Sequence, residues 1–435
     1  MADDLRSTRV GFFFDGDEST PHMAAMLTVE DDQTLLEIPL ADGITDAFTK
    51  WFDGWSAPPA LIFVDHQGTV SLTGLHIRQH KQAWSGGGAG RGLLEAAQLV
   101  HCGPRAPDFR TVNAVRSEIA GLPRWMAPGV FGTSWESDVA GRVTAVTFNA
   151  KSVPATIFPG VPGLRLAPHF QIVHQWADGT HTMRETTQVE TRFDEPQPWE
   201  MHIKIHRTLQ DLVSLAFWRP CDLAVKQALH DDDHVVTMDD TDHGATWRTA
   251  VVPAAGRGPR SSTLRPLATE RPPLFTFADI GIDGVERWFA EYEQLGQAMW
   301  VLAASLFRTG GTVEVQLLQV GTALEALGYE LAVRSGRVIR GRSDRSFTLV
   351  QSLTLVCEST DCDIDQVLAG ATVDEWAVEF NRAYKGVKHA DNPLPDPNDA
   401  RTRSEQGALL ARLWLARNLG VDRTRLDARL PVHNR

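Results

Sequence analysis

Arg382 and His389 lie seven positions apart in the stretch from Phe380 to Asp391. Arginine carries a planar cation that grips anionic groups through paired hydrogen bonds. Histidine titrates near neutral pH and can therefore transfer protons under physiological conditions. Together the two side chains could hold an anionic group and move a proton beside it, provided that the fold presents both on one surface.

A single amphipathic helix is predicted to carry this pair. Thr372 and Glu375 have the spacing of an N-terminal capping box, and Pro393 begins a proline-rich stop. The helix should therefore cover roughly residues 373–391. Its apolar residues recur at helical spacing and should face the core: Val373, Trp376, Phe380, Ala383, Tyr384 and Val387.

Arg382 and His389 are predicted to share the face of this helix that the core leaves uncovered. Seven steps of about 100° bring them to within roughly 20° of each other, opposite the apolar residues. Three polar neighbours would support the pair: Asn381, Lys385 and Lys388. The spacing also fits a solvated helix face, but the capped helix and its proline stop favour a site.

The C-terminal part of the chain has the helical period throughout, and residues 274–430 are predicted to form a bundle. Its helices are expected over Asp283 to about Arg308, Val313 to Arg334, Phe347 to Glu358, residues 373–391, and a last segment capped by Thr402 with Glu405 and ended by Gly420.

The N-terminal part has the period of strands. Predicted strands are Val10 to Phe14, Ala25 to Glu30, Thr34 to Leu40, Ala60 to Asp65, Thr69 to Leu75, Val143 to Asn149, Phe170 to Trp176, Thr180 to Glu190 and Trp199 to Ile205. A helix is expected from about Thr208 to Trp218. The chain is thus predicted to be an α+β protein with two antiparallel-sheet subdomains, 1–130 and 131–252, before the helices.

A proline- and arginine-rich segment without periodicity, residues 253–273, is predicted to link the β-rich region to the bundle. Such a linker would let the two parts move relative to each other. We therefore expect the β-rich region to sense a trigger and the bundle to respond.

This arrangement resembles a known family. A long helix containing Leu317 to Leu327 precedes the stretch around Arg382, and a β-rich region fills the N-terminal side. The stretch is similar to the Arg-x(4–6)-His motif of HEPN-domain ribonucleases, and the order of elements looks like that of HEPN anti-phage proteins of the ApeA type. The resemblance implies a homodimer that cleaves RNA, such as tRNA, without metal or other cofactor. His389 would transfer protons and Arg382 would clamp the phosphate.

One departure from the motif favours an alternative. The family usually has a polar residue directly after the arginine, whereas Ala383 follows Arg382 here and Asn381 precedes it. The alternative is a non-catalytic binding or scaffold protein. Its bundle would only dimerise, and its β-rich region would recognise a phage or host component.

The densest basic segment has five arginines in twelve residues: Arg334, Arg337, Arg340, Arg342 and Arg345. These are candidates for binding RNA phosphates. A solvated loop is an equal alternative, because arginine outnumbers lysine 35 to 7 in the whole chain.

Three pairs of histidines lie four positions apart, and such pairs are candidate metal ligands. They are His76/His80 and His202/His206, both predicted on strands, and His230/His234 in an acidic turn. None has the convergent ligand set that zinc requires, so no metal site is predicted.

The composition of the chain limits which partners and which cellular compartment we expect. A net charge of −13 argues against broad electrostatic capture of nucleic acid. The four cysteines contain no Cys-x-x-Cys and fit a reduced cytosol. The longest apolar run, Met299 to Phe307, is about half of a membrane span. We expect a cytoplasmic protein that does not enter membranes.

Overall fold

The structure is a computed structural model. It describes residues 8–15, 22–30, 33–40, 57–81, 90–103, 107–175, 179–236, 239, 241–253, 255, 272–308, 310–340 and 347–433. Within these residues the N-terminal part consists mainly of antiparallel strands and the C-terminal part of helices. The predicted α+β class is confirmed.

The first six strands form a closed barrel. They are β1 (Thr8–Phe14), β2 (Met23–Val29), β3 (Thr34–Leu40), β4 (Ala60–Asp65), β5 (Gly68–Lys81) and β6 (Gly90–Cys102). Their order is β3-β2-β1-β4-β5-β6, and β6 also pairs with β3, which closes the ring. Alternate side chains such as Phe13, Leu27 and Phe63 fill a core of their own. The five strands predicted here are confirmed, and β6 was not predicted.

A second antiparallel sheet joins the barrel. Its strands are β7 (Thr111–Ile119), β10 (Thr156–Ile157), β11 (Leu164–Gln175), β12 (Thr180–Pro198), β13 (Leu223–Leu229) and β16 (Arg248–Val251). Strand β16 pairs with β13 on one side and with β6 on the other. Separate hairpins are formed by β8 (Phe131–Ser137) with β9 (Val143–Ala150) and by β14 (His234–Val236) with β15 (Asp242–Ala245). The domain boundaries remain a prediction, although β7 precedes residue 130 and pairs with later strands.

The segment predicted as a strand at Trp199 to Ile205 is helical, and this prediction was wrong. It opens helix α2 (Trp199–Phe217), which follows the short α1 (Leu122–Met126). Apolar and polar residues alternate here, which imitates a strand. The residues that are buried, however, include His202, Ile203 and His206, and these recur at helical spacing. Because His202 and His206 are polar residues on the buried side of the helix, the apolar residues alone do not show the helical period.

The remaining helices form the C-terminal part. They are α3 (Phe277–Leu306), α4 (Val313–Arg334), α5 (Leu349–Thr360), α6 (Val373–Lys388), α7 (Pro397–Asn418) and α8 (Arg423–His433). The bounds of α4 are those predicted, and α8 was not predicted. Helices α4 and α7 pack together, as do α3 and α4.

The start predicted for the last helix was wrong, whereas the one predicted at Asp283 falls at a break in α3. Helix α3 begins with a capping box of Thr276 and Asp279, but its backbone is not helical at Gly281, whose φ is 64°, and Asp283 lies two residues after this break. Helix α7 is capped by Asp396, whose carboxylate accepts the backbone N–H groups of Asn398 and Asp399 at 2.9 and 3.2 Å. The Thr402 signal lies inside this helix, because Asp396 followed by Pro397 is a stronger start.

Helix α2 packs directly against the helical part. The indole of Trp288 donates a hydrogen bond to the Thr208 carbonyl at 2.8 Å, and the Tyr292 hydroxyl donates to Asp211 at 2.5 Å. One continuous hydrophobic core reaches from Val100 in β6 to the C-terminal helices. Most of the predicted linker, residues 254 and 256–271, lies outside the described residues. The parts on either side of it share a core, so the expectation that they move separately finds no support in the structure.

Asp279 ties the first helix of the bundle to the last. Its buried carboxylate accepts hydrogen bonds from Arg429 at 2.7 Å, from Arg425 at 2.8 Å and from the Thr276 backbone at 2.7 Å. Burial alone would raise the pKa of Asp279, but the hydrogen bonds from Arg429, Thr276 and Arg425 lower it to about 2. The carboxylate therefore stays ionised in the folded protein.

We predict that Asp279→Asn lowers the unfolding free energy by about 1.5–3 kcal/mol, because charge-assisted hydrogen bonds are lost. The folded pKa lies below the ordinary 3.8, so this stabilisation is present above pH 3.8 and is lost as the pH falls toward 2. Urea unfolding at pH 7 and pH 3 measures both effects. Asp283→Asn, at an exposed position of the same helix, is the control and should change little.

Candidate functional site

Helix α6 begins where the sequence predicted. The Thr372 backbone N–H donates to Glu375 at 2.9 Å, and the Glu375 backbone N–H donates to the Thr372 hydroxyl at 3.3 Å. Both halves of the capping box are therefore present.

The core face of α6 is also as predicted. Trp376, Phe380, Ala383 and Tyr384 are buried, and the Trp376 indole donates to Gln406 of α7 at 2.9 Å. A Cβ atom added at Gly321 of α4 would approach the Tyr384 ring to 2.4 Å, so α4 and α6 touch closely there. The helix is held in one rotation about its axis by this packing.

The predicted end of α6 was wrong. The helix stops at Lys388, and His389 is its C-cap, with extended backbone angles (φ −121°, ψ 124°). The His389 N–H still donates to the Lys385 carbonyl at 3.0 Å, and its own carbonyl accepts from the Asn392 N–H at 3.1 Å. The helical rotation therefore fixes the direction of side chains only as far as Lys388, and His389 lies one residue beyond it.

The proline-containing loop after α6 fixes this C-cap. It folds back so closely that a Cβ atom at Gly386 would lie 2.5 Å from the Pro393 carbonyl oxygen. Glycine is required there for the close approach. The backbone of His389 is thus held between the last turn of α6 and the loop.

Arg382 and His389 are both exposed, as predicted. The Arg382 side chain is 73% exposed, and its guanidinium pairs with Glu379, one turn toward the N-terminal end of the helix. The pairing points Arg382 away from His389, which lies about 10 Å further along the axis. One chain presents both residues on its surface and does not bring them together.

The three supporting residues differ in placement. Lys385 is exposed and Asn381 is half-buried. The Lys388 ammonium donates to the Tyr384 hydroxyl at 3.3 Å and lies 5.0 Å from the centre of its ring. Lys385 and Lys388 therefore place two positive charges at the end of α6. Of the two, Lys388 is held in place by the hydroxyl and the ring of Tyr384.

The arginines predicted to bind RNA are paired with carboxylates where the structure describes them. Arg334 and Arg340 both contact Glu330, Arg334 also contacts Glu291 at 3.0 Å, and Arg337 approaches Glu358 at 3.8 Å. These pairs fasten the end of α4 to its surroundings. The other two predicted residues, Arg342 and Arg345, lie outside the described residues.

His202 and His206 belong to a buried hydrogen-bond chain that sequence reasoning did not detect. His202 Nε2 lies 3.1 Å from the Val112 carbonyl, which can only accept, so Nε2 donates and Nδ1 must accept from Thr191 at 2.7 Å. The Thr191 oxygen then accepts from His206 Nε2 at 3.1 Å, and His206 Nδ1 accepts from Ser117 at 2.7 Å. All four ring nitrogens are satisfied with both histidines neutral.

In each of the other two pairs at least one histidine contacts a carboxylate. His76 contacts Glu95 at 3.1 Å, and His234 contacts Asp242 at 2.7 Å. The described residues contain no group of three or more His, Cys, Asp or Glu side chains that could hold a metal ion. Nor does any helix among them have the length and apolar character needed to cross a membrane.

A closed barrel, a second sheet covered by α2, and a packed helical region define an α+β protein with a large sheet-based N-terminal part. The family model described as ApeA N-terminal domain 1 matches residues 8–288, from the first residue of β1 into α3. This match covers more than half of the chain, and the chain belongs to that family. The match supports an ApeA-like anti-phage protein. Searches of curated proteins and of solved structures found no match.

We predict that the protein loses stability below neutral pH because of the buried histidines. Burial lowers the pKa of His202 to about 4, and burial followed by the proximity of His202 lowers that of His206 to about 3. The unfolded state therefore binds more protons below the ordinary pKa of 6.5. The unfolding free energy should fall as the pH drops from 6.5 toward 4, by up to about 1.4 kcal/mol per pH unit for each histidine.

Urea unfolding between pH 7.5 and pH 4.5 measures this slope. His202→Gln should reduce it, whereas His243→Gln, at an exposed histidine, should leave it unchanged. A wild-type stability that stays flat across this range would contradict the assignment.

Proposed function

We propose that this protein is a metal-independent endoribonuclease of the HEPN type that acts in anti-phage defence, with cellular RNA such as tRNA as the substrate. The observation that carries the proposal is the exposure of Arg382 on α6 and of His389 at its C-cap. Both side chains lie at the surface of a well-packed helix, while the residues between them that face inward, such as Ala383 and Tyr384, are buried.

The proposed roles follow from the chemistry of the two side chains. Arg382 grips the scissile phosphate with its planar fork, exchanging Glu379 for the phosphate oxygens. His389 transfers protons while the 2′-hydroxyl of the RNA attacks the adjacent phosphorus. The bond to the 5′ oxygen breaks, and that oxygen takes up a proton. The products are a 2′,3′-cyclic phosphate and a 5′-hydroxyl. Lys385 and Lys388 add positive charge for the RNA backbone.

The identity of Ala383 is explained by packing. This residue is 3% exposed and faces the core, so a polar side chain directly after Arg382 would be buried in this chain. The polar neighbour that remains near the surface is Asn381. The pairing of Arg382 with Glu379 favours the alternative of a non-catalytic binding protein, and a cleavage assay separates the two.

A homodimer through the same face would complete the site. One arginine and one histidine on an open surface leave water free to enter, whereas a two-fold axis would supply two of each. Exposed apolar side chains flank the polar residues: Val378 is 53% exposed on α6 and Leu394 is 71% exposed in the following loop. Burial of such residues is a common source of stability in dimers.

We predict that His389→Ala reduces RNA cleavage on the order of 10²–10⁴-fold, as expected for loss of a general acid or base. Arg382→Lys should fail similarly, because an ammonium keeps the charge but lacks the planar fork. The matched controls are His243→Ala and Arg401→Lys. Arg401 is an exposed arginine of α7 that likewise pairs with a glutamate within one turn, Glu405 at 3.0 Å. Product ends are read by gel electrophoresis and mass spectrometry.

The same assay tests the mechanism. Cleavage should persist in EDTA, and a 2′-O-methyl group at the scissile nucleotide should block it. Undiminished cutting of the methylated RNA or of DNA, or loss of activity in chelator, would refute the mechanism. A wild type that binds RNA without cleaving it would support the binding protein instead.

We predict that the protein is a dimer in light scattering and that Val378→Glu or Leu394→Glu shifts it toward monomer by placing charges in the interface. Val10→Glu, at an exposed barrel residue, is the control and should leave the mass unchanged. A monomeric wild type that still cleaves RNA through His389 would refute the two-fold site.

A further inference from the structure

A cleft lies where the barrel, helix α2 and helix α3 meet. Its volume is about 650 Å³, within the range of small-molecule sites. The inner wall is apolar and formed by Trp199, Ile203 and Val252, all buried. The cleft is remote in sequence from Arg382 and His389 and shares no residue with their surface.

One of the residues that line the cleft is a glycine of α3, Gly296, that no close packing requires. Five glycines inside the described helices would each place a Cβ within 3 Å of a neighbour: Gly284, Gly321, Gly328, Gly386 and Gly407. Gly296 of α3 is different, since a Cβ there would meet nothing within 4 Å. Glycine destabilises a helix interior relative to alanine. The chain therefore accepts a less stable helix at Gly296, where the glycine leaves open space beside the cleft-lining side chains of Glu293 and Trp300.

The rim combines one flat aromatic surface with charges of both signs. Trp300 of α3 is 52% exposed and lines the cleft one helical turn beyond Gly296. Lys204 and Arg207 lie about one turn apart on α2. The Lys204 ammonium contacts Glu293 at 2.6 Å, and Arg207 Nε donates to the Ala255 carbonyl at 2.5 Å.

We propose that this cleft binds a nucleotide. The indole of Trp300 offers a stacking surface for the base beside the apolar wall. Lys204 would exchange its contact with Glu293 for the phosphate, and Arg207, whose Nε donates to the Ala255 carbonyl, adds positive charge beside it. Glu200 and Glu293, also on the rim, are acceptors for the ribose hydroxyls. A nucleotide combines the three groups that this cleft could bind: an aromatic base, ribose hydroxyls and an anionic phosphate.

The position of the cleft has a consequence for stability. A bound nucleotide would touch strand β6, helix α2 and helix α3 at once, because Gln98, Lys204 and Gly296 all line it. It would bridge the β-rich part and the helical part and raise the Tm of the whole chain.

Calorimetry and thermal unfolding of the full chain with AMP and GMP test the proposal, with adenosine and inorganic phosphate as partial ligands. We expect at least one nucleotide to bind about 10-fold or more tightly than adenosine or phosphate, since each partial ligand lacks one group of contacts. No binding and no rise in Tm with either nucleotide at about 1 mM would overturn the proposal.

Variants at Gly296 locate the site. Gly296→Trp should fill the cleft and abolish binding. Gly296→Ala, which adds one methyl group and favours the helix, should fold and retain binding. Unchanged binding by a folded Gly296→Trp protein would place the nucleotide elsewhere and overturn the assignment.

Two further variants assign the contacts. Trp300→Ala should weaken AMP and adenosine alike, by about 10-fold, through loss of stacking. Lys204→Gln should weaken AMP and leave adenosine unchanged, and the opposite pattern would contradict the proposed orientation. Binding is measured without RNA, so the result is independent of whether the protein cleaves RNA.

Discussion

Helix α2 carries the junction on which both halves of the protein depend. On one side, its two buried histidines complete a hydrogen-bond chain with β7 and β12. On the other side, the buried guanidinium of Arg412 in α7 donates to the carbonyls of Leu215 and Ala216 at 2.7 and 3.0 Å. These carbonyls belong to the last turn of α2, where the helix itself supplies no partner. Helix α2 thus provides hydrogen-bond partners for polar groups of the sheet. In turn, the bundle provides hydrogen-bond donors for the last carbonyls of α2.

This junction explains why the halves share a hydrophobic core although their sequences have different periods. A linker rich in proline and arginine indicates a change of architecture, and that change is real. It does not indicate separation, because the contacts that join the halves come from α2, which precedes the linker by more than 30 residues. Long-range packing of this kind leaves no local pattern in the sequence.

Local signals in the sequence predicted local structure well. The start of α6, both ends of α4 and the first five strands follow from capping residues and alternation that act within a few positions. The wrong predictions arose where the structure of a segment depends on residues that are distant in the sequence. His202 and His206 look polar in sequence but are buried because Thr191, Ser117 and Val112 satisfy them. The barrel closes through the pairing of β3 with β6, some 50 residues apart, which no short pattern reveals.

At the candidate site, too, the features set by nearby residues could be predicted, and those set by distant residues could not. The exposure of Arg382 and the burial of Phe380 and Tyr384 could be predicted from helical periodicity. The salt bridge to Glu379 could have been predicted too, since the residues are three apart on one helix. The C-cap geometry of His389 could not, because it depends on the loop that folds back over Gly386.

Strand β6 is long enough to belong to both the barrel and the second sheet. Its first half, Gly90 to Glu95, pairs with β3, and its second half pairs with β16 at Leu99 and Val100 along the same edge, while β5 runs along the other edge. The ring of six strands is therefore complete only for part of its height. A barrel excised after Cys102 would retain every strand of the ring but would bare the backbone N–H and C=O groups opposite β16, next to apolar side chains. Such an open edge recruits foreign strands and favours aggregation. The second sheet thus covers the part of the β6 edge that β3 leaves unpaired, so the barrel depends on it even though the barrel has a core of its own.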